Sequence, residues 1–173
     1  MLLNLDTIPP FYKNYVKLLD EGNLMMALRM SGYRTQELIY KLPVEIGDYK
    51  YAKDKWTVRE VLCHMIDGER IFGYRALRFA RNDKTNLPGF EENDYAPEAN
   101  ASARSLKKIA EEMAHLRTST IELFEGFSEE MLRRKGSANN TEMSVAALGF
   151  IISGHETHHR RILTERYIST WKK

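Results

Sequence analysis

Four separate stretches of this chain read as amphipathic helices, and each apolar stripe must be buried against other helices. The cleanest stripe is Leu106, Ile109, Met113, Leu116, Thr120 and Phe124, which predicts a helix over about 102–124. Another runs through Val61, Met65, Phe72 and Leu77 to about residue 79. It starts at Thr57, whose spacing to Glu60 is that of a capping box, with Trp56 placed to act as a hydrophobic staple. Such a helix of some 25 residues would be roughly 37 Å long and could run the full height of a bundle. The remaining two cover about 23–42, with Leu24, Leu28, Tyr33 and Leu38, and about 144–167, with Leu148, Ile151, Ile152, Ile162 and Leu163. A short leading helix over 11–19 follows Pro9 and Pro10, and Ser128, Met131 and Leu132 suggest one further turn. Residues 136–140 reset the direction, and no segment reads as a strand. The expectation is therefore an all-α four-helix bundle, one domain over 1–173. Its N-terminal segment would be peripheral, and a long polar connection near 82–101 would carry Pro88, Gly89 and Pro97. Connections of that length often cover a site.

A chain of 173 residues with 43% hydrophobic and 29% charged residues can bury a core without disulfides. It could not form one internally, because Cys63 is its single cysteine. Cys63 reads as a small core residue, although its place beside His64 leaves a nucleophilic role open. The opening MLLNLDTIPPFYKNY lacks the features of a secretory signal, and no apolar run reaches the length of a membrane span. The expected location is the cytoplasm. A net charge of +2, with basic and acidic residues interspersed, argues against nucleic acid as a partner.

Chemistry concentrates in the histidines. Four of the five fall at two places: His64 early in the second main helix, and His155, His158 and His159 within GHETHH in the fourth. His155 and His159 share a face one turn apart, in line with Leu148, Ile152 and Ile162, so both rings can point inward. Neutral imidazoles there suit zinc or nickel, and three protein nitrogens leave one coordination position open. A hydrogen-bonded core cluster and an exposed cluster are the competing readings. Gly68 costs about 1 kcal/mol in a helix interior relative to Ala; either another helix approaches closely or a ligand needs the space. Asp67, three residues after His64, could orient a histidine, take a proton from water or form a surface ion pair. Glu69 is expected to bridge to Arg75 or Arg78, and Glu156 leaves on a different face from His155. Arg75, Arg78 and Arg81 could bind an anionic group or form a solvated edge. His115 stands alone, and neither Tyr74 nor Tyr95 has a context that assigns it to a cavity.

The segments KWTVREVLCHMIDGERIFGYRALRFARND, LPGFEENDY and SVAALGFIISGHETHHRRILTERY resemble, in that order, blocks of the DinB-like (YfiT-like) superfamily of metal-binding bundles. The resemblance extends from about residue 23 to residue 168. It implies an up-down-down-up four-helix bundle whose divalent metal sits on His64, His155 and His159. His158 is then available for substrate contact or for bonding behind the ligands, and Asp67 joins it as a candidate catalytic residue. The resemblance further implies a small-molecule substrate, a homodimer, and either transfer of a low-molecular-weight thiol to an electrophile or hydrolysis. A non-enzymatic metal-binding or stress-associated protein is the alternative.

Overall fold

The computed structural model describes residues 1–172, which form α1 (Pro10–Val16), α2 (Leu24–Tyr40), α3 (Val58–Ala80), α4 (Glu92–Glu98), α5 (Leu106–Glu125), α6 (Glu129–Arg133) and α7 (Val145–Ile162). The starts of the four long helices follow from side-chain caps. Asn23 Oδ1 accepts from the Met25 and Met26 amides, Ser105 from Lys108 and Ser144 from Ala147. At α3 the capping box is present in both directions: Thr57 accepts from the Glu60 amide at 3.1 Å, and the Glu60 carboxylate accepts from the Thr57 amide at 2.6 Å. The predicted third helix begins later than expected, because residues 101–103 form a separate 3-10 turn and Ser105 supplies the cap. α7 continues as a π-helical segment, Leu163–Ile168.

A strand pair overturns the expectation that no segment is extended. β1 (Lys135–Ala138) and β2 (Thr141–Ser144) pair antiparallel through a two-residue turn, Asn139-Asn140. Both asparagines have positive φ, the requirement of the tight turns that join such strands. Leu87, in the long connection, donates to Ser137 O and accepts from the Asn139 amide, both at 2.9 Å, which ties that connection to the hairpin.

α2 and α3 each pack against both α5 and α7, and the apolar core falls into two parts. One holds Leu24, Leu28, Phe72, Phe79, Phe124 and Leu148; the other holds Ile39, Leu62, Ile66, Ile109, Leu163 and Tyr167. On every long helix a buried polar residue lies between the two: Ser31, Glu69, Arg117 and Glu156. Arg117 joins them. Its Nε and Nη2 donate to the two Glu69 oxygens at 2.9 and 2.8 Å, and Nη1 donates to Leu28 O and Ser31 Oγ at 2.7 and 2.8 Å. Nη2 also lies 2.7 Å from Glu156 Oε2. Glu69 thus pairs with Arg117 of another helix, not with Arg75 or Arg78 as expected. Burial would lower the Arg117 pKa, but Glu156 and Glu69 outweigh it and hold the guanidinium charged beyond the usual arginine range. Gly32 makes room for this group, since a Cβ there would stand 2.8 Å from Arg117 Nη1.

Replacing Arg117 by Met should therefore lower the free energy of unfolding by about 3–5 kcal/mol, because two carboxylates would stay buried without their cation. Gly32→Ala should also destabilise, despite the higher helix propensity of Ala. Urea unfolding at neutral pH measures both; wild-type midpoints would refute the role given to Arg117.

Candidate metal centre

His64 projects from the second turn of α3, and His155 and His159 from successive turns of α7. His155 Nε2 lies 3.0 Å from His64 Nε2 and 3.1 Å from His159 Nε2, and the three donor atoms fall within 4.8 Å of one another. Packing fixes each ring. Trp56 lies against His64 with centroids 4.9 Å apart, while Phe72 and Tyr15 flank His155 at 5.9 and 6.0 Å. Gly68 faces the His155 ring, and a Cβ would sit 3.0 Å from its Cε1. The missing side chain is thus a seat for an imidazole of α7, so the close approach of another helix is what Gly68 accommodates. Gly154 does the same for the backbone: a Cβ would meet the Tyr15 carbonyl carbon at 2.8 Å, so α1 can lie directly on α7.

Burial lowers the pKa of His155 to about 3 and of His64 to about 4, with neighbouring histidines adding to the effect. His159 is held well below its ordinary value, by burial first and then by His155 and His64. All three rings are neutral at pH 7, the state that offers a lone pair. A ring nitrogen carries one proton or one lone pair, so His155 Nε2 cannot make full hydrogen bonds to both neighbours. A cation among the three would satisfy all of them. Nitrogens each about 2.0–2.1 Å from one tetrahedral ion would stand roughly 3.3 Å apart, close to the two separations from His155 Nε2. The residues fit a divalent metal better than they fit a hydrogen-bonded cluster.

The rings open onto a cavity of about 220 Å³. Phe11, Tyr12 and Tyr15 of α1 line it, with Trp56, Phe72 and Arg75, then Gly89, Phe90 and Glu92 from the long connection, and Asn139 from the hairpin. Hollows of about 510 and 620 Å³ lie elsewhere, beside Pro10 and Phe150 and beside Arg70 and Arg104, but neither contains the converging nitrogens. The N-terminal segment lies outside the four long helices, as expected, yet its aromatic residues form one cavity wall. That role was missed, although three aromatics within five residues after Pro-Pro could have signalled it.

Other candidate residues divide. Asp67 and His158 are not in the lining. Burial raises the Asp67 pKa, opposed by Arg70 and Arg104, so its surroundings belong to the α3–α5 side. His158 stacks on Tyr15 at 4.6 Å between centroids and on His159 at 5.0 Å. Of the three arginines, Arg75 is buried in the cavity wall, Arg78 pairs with Asp83, and Arg81 is exposed. Cys63 is buried and receives a hydrogen bond from Arg104 Nη1 at 3.4 Å, away from the cavity. His115, Tyr74 and Tyr95 are exposed, and none lines it. The run His155-Glu156-Thr157-His158-His159 also has the H-E-x-x-H spacing in which a zinc protease uses its glutamate as a base. Here Glu156 is buried against Arg117 and does not line the cavity, so it is not placed for that task.

A sequence profile of the DinB superfamily matches residues 27–163. Among solved structures, the chain is similar to YfiT from Bacillus subtilis, described as a probable metal-dependent hydrolase with an unusual four-helix bundle topology. The TM-score is 0.74 at 14% identity, covering 86% of this chain and 87% of that one. No curated protein matches the sequence. Among the described residues no helix is long and apolar enough to cross a membrane.

Neutral buried histidines make the metal-free protein acid-sensitive. Their folded pKa values lie below the unfolded value of about 6.5, so between that pH and about 4 the unfolded chain binds protons that the folded chain refuses. Stability should be level above pH 6.5 and fall as pH drops below it, with His155 alone giving a limiting slope of about 1.4 kcal/mol per pH unit. Denaturant titrations of chelated protein from pH 8 to 4 measure this, and His155→Asn should flatten the profile. A profile unchanged by that substitution would contradict the assignment.

Proposed function

The chain belongs to the DinB superfamily, and from that premise we propose that it is a metal-dependent hydrolase of a small molecule, with His64, His155 and His159 as the metal ligands. The observation that carries the reading is the convergence of three neutral ring nitrogens at the wall of an aromatic cavity. A divalent ion, zinc or nickel by the affinity of imidazole donors, supplies acidification of a water or thiol in its open position. The protein holds the donors and narrows access. Trp56 and Phe72 pack on His64 and His155, and Phe11, Tyr12, Tyr15 and Phe90 complete an aromatic lining around them. Among the described residues no fourth Asp, Glu, Cys or His joins the cluster, which supports catalysis over storage of the metal or a stress-associated binding role. His158, in this reading, positions Tyr15 and His159 through ring contact, whereas Asp67 lies outside the cavity lining, 4.0 Å from Arg70, and has no part in the chemistry.

Transfer of a low-molecular-weight thiol to a small electrophile is the second reading. The cavity lining contains no Ser, Thr, Cys or Lys, which favours a nucleophile from outside the chain, and a thiol meets that need as well as water does.

We also read the long helices as up-down-down-up and the chain as one cytoplasmic domain over 1–173. Contacts between Gln36 and Ala110 and between Arg29 and Glu125 suit opposed α2 and α5, while Cys63–Arg104 and Arg70–Glu112 suit α3 and α5 running together. Leu24 against Gly149 and Arg160 against Ser31 suit a parallel α2 and α7. A homodimer is supported by Met26, Tyr33 and Tyr40, which recur every seven residues on α2 and are 49%, 63% and 63% exposed. Light scattering should give twice the chain mass, and Tyr33→Glu should halve it; a monomer across a concentration series would end the dimer proposal.

Protein isolated without chelator should contain one divalent ion per chain by elemental analysis. Alanine at His64, His155 or His159 should remove most of it, and His158→Ala should remove less. Gly68→Ala should weaken metal affinity at least several-fold while leaving the helix intact, because the His155 ring must shift. Metal-loaded protein should cleave members of a panel of small esters and amides, with activity lost on chelation and restored by metal; added thiol yielding S-conjugates would favour transfer. Full metal content in all three ligand variants would refute the metal centre, and metal-independent turnover would refute the mechanism.

A further inference from the structure

Among the described residues three arginines are buried: Arg59, Arg75 and Arg117. Arg117 is paired with Glu69 and Glu156, and Arg59 with Asp48. Among the described residues Arg75, only 4% exposed, has no carboxylate within ion-pair distance. Nη2 donates to Pro88 O at 2.9 Å, the guanidinium lies 5.8 Å from the Phe72 ring centroid, and the Tyr12 hydroxyl is beside it. A guanidinium has five N–H donors, so Pro88 and Tyr12 leave most of its capacity unused, and the residue lines the cavity. An arginine stays protonated even when burial lowers its pKa, and a buried cation without a counter-ion is costly.

We propose that Arg75 is the anion-recognising group of the cavity, and that the small molecule bound beside the histidines carries a carboxylate or phosphate that docks on its guanidinium. The inference deepens the reading of the cavity as a substrate site and rests on it. Phe72 sets the geometry, with His155 5.9 Å from one aspect of its ring and the Arg75 guanidinium 5.8 Å from the same ring. A molecule lying across Phe72 could therefore place an anionic end on Arg75 and a reactive end by the histidines. A planar fork of N–H groups matches either oxyanion in two-point fashion, as an ammonium would not. Pro88, from the long connection, holds the guanidinium in place. Glu92 shares the lining and its charge is felt at Tyr12 and Tyr15, but it is exposed and forms no ion pair with Arg75, so it leaves the guanidinium open to an anion. Arg78 and Arg81 offer no equivalent: one is paired with Asp83, and the other is exposed outside the cavity.

The test uses full-length protein stripped of metal, so that an added anion cannot bind a metal ion instead. Acetate, inorganic phosphate and neutral acetamide are titrated separately, following the Arg75 Nε–H resonance and the heat of binding. Wild type should bind acetate or phosphate saturably and ignore acetamide; the tighter anion assigns the class. Arg75→Met should weaken that binding at least tenfold, Arg75→Lys should weaken it less, and the exposed control Arg81→Met should leave it unchanged. Should Arg75→Met fail to fold, the wild-type resonance and Arg75→Lys decide. Absence of saturable anion binding in wild type, wild-type affinity in a folded Arg75 variant, or an Arg75 resonance unmoved by anion would overturn the proposal. Metal content is measured independently, so failure of the metal centre and failure of the anion site give different results.

Discussion

One guanidinium ties the four long helices together. Arg117 leaves α5 and reaches a carbonyl and a hydroxyl of α2, a carboxylate of α3 and a carboxylate of α7, all within the seam between two apolar cores. Such a layer is a poor source of net stability, because desolvating three charged groups offsets much of their attraction. Its value is registry. Apolar stripes can slide past one another by a turn at modest cost, whereas a slide here would strand buried charges. Glu69 follows Gly68, and Glu156 follows His155. The ion pair that locks α3 to α7 therefore lies one residue from the close approach that seats the central imidazole.

That adjacency explains how a site of three rings is held with few polar partners of its own. Apart from one another, the histidines are surrounded by Trp56, Phe72 and Tyr15, which favour the neutral rings but do little to fix their separation. Separation is set by the helices, and the helices are set by Arg117. The same burial gives proton and metal opposite fates. An added proton places an unpaired charge in a dry pocket, while a metal ion spreads its charge over three donors already turned toward it.

Sequence periodicity revealed the bundle because each long helix repeats one signal several times, and the capping box marked the start of α3 outright. The histidine set was legible for the same reason: positions 155 and 159 repeat the period of the apolar residues around them. The hairpin was not, since four-residue strands give alternation too little room; its clue was the Asn-Asn pair, which was read only as a reset of direction. Glu69 and Arg117 lie 48 residues apart in sequence, and no local spacing joins them. Helical phase was the better guide at Glu156. Residues 155–159 have the H-E-x-x-H spacing, but Glu156 leaves on a different face from His155, and the fold assigns that carboxylate to Arg117, in the layer between the cores.

The division of labour follows from where each part of the cavity originates. The three converging histidines and the glycine that seats one of them belong to α3 and α7, which are locked into the bundle. Arg75 also stands on α3, but a carbonyl of the long connection holds its guanidinium. The remaining wall comes from α1, the connection and the hairpin tip, none of which contributes to the Arg117 layer. Substitution in those segments can reshape the cavity without disturbing helix registry, whereas substitution at Gly68 or Arg117 reaches the ligands themselves. Correspondence with YfiT over 86% of this chain at 14% identity shows that the fold tolerates extensive change in sequence. Within this chain the convergence of the three rings depends on the short list of positions that set the α3–α7 distance, and the wall residues shape the cavity around them without setting it.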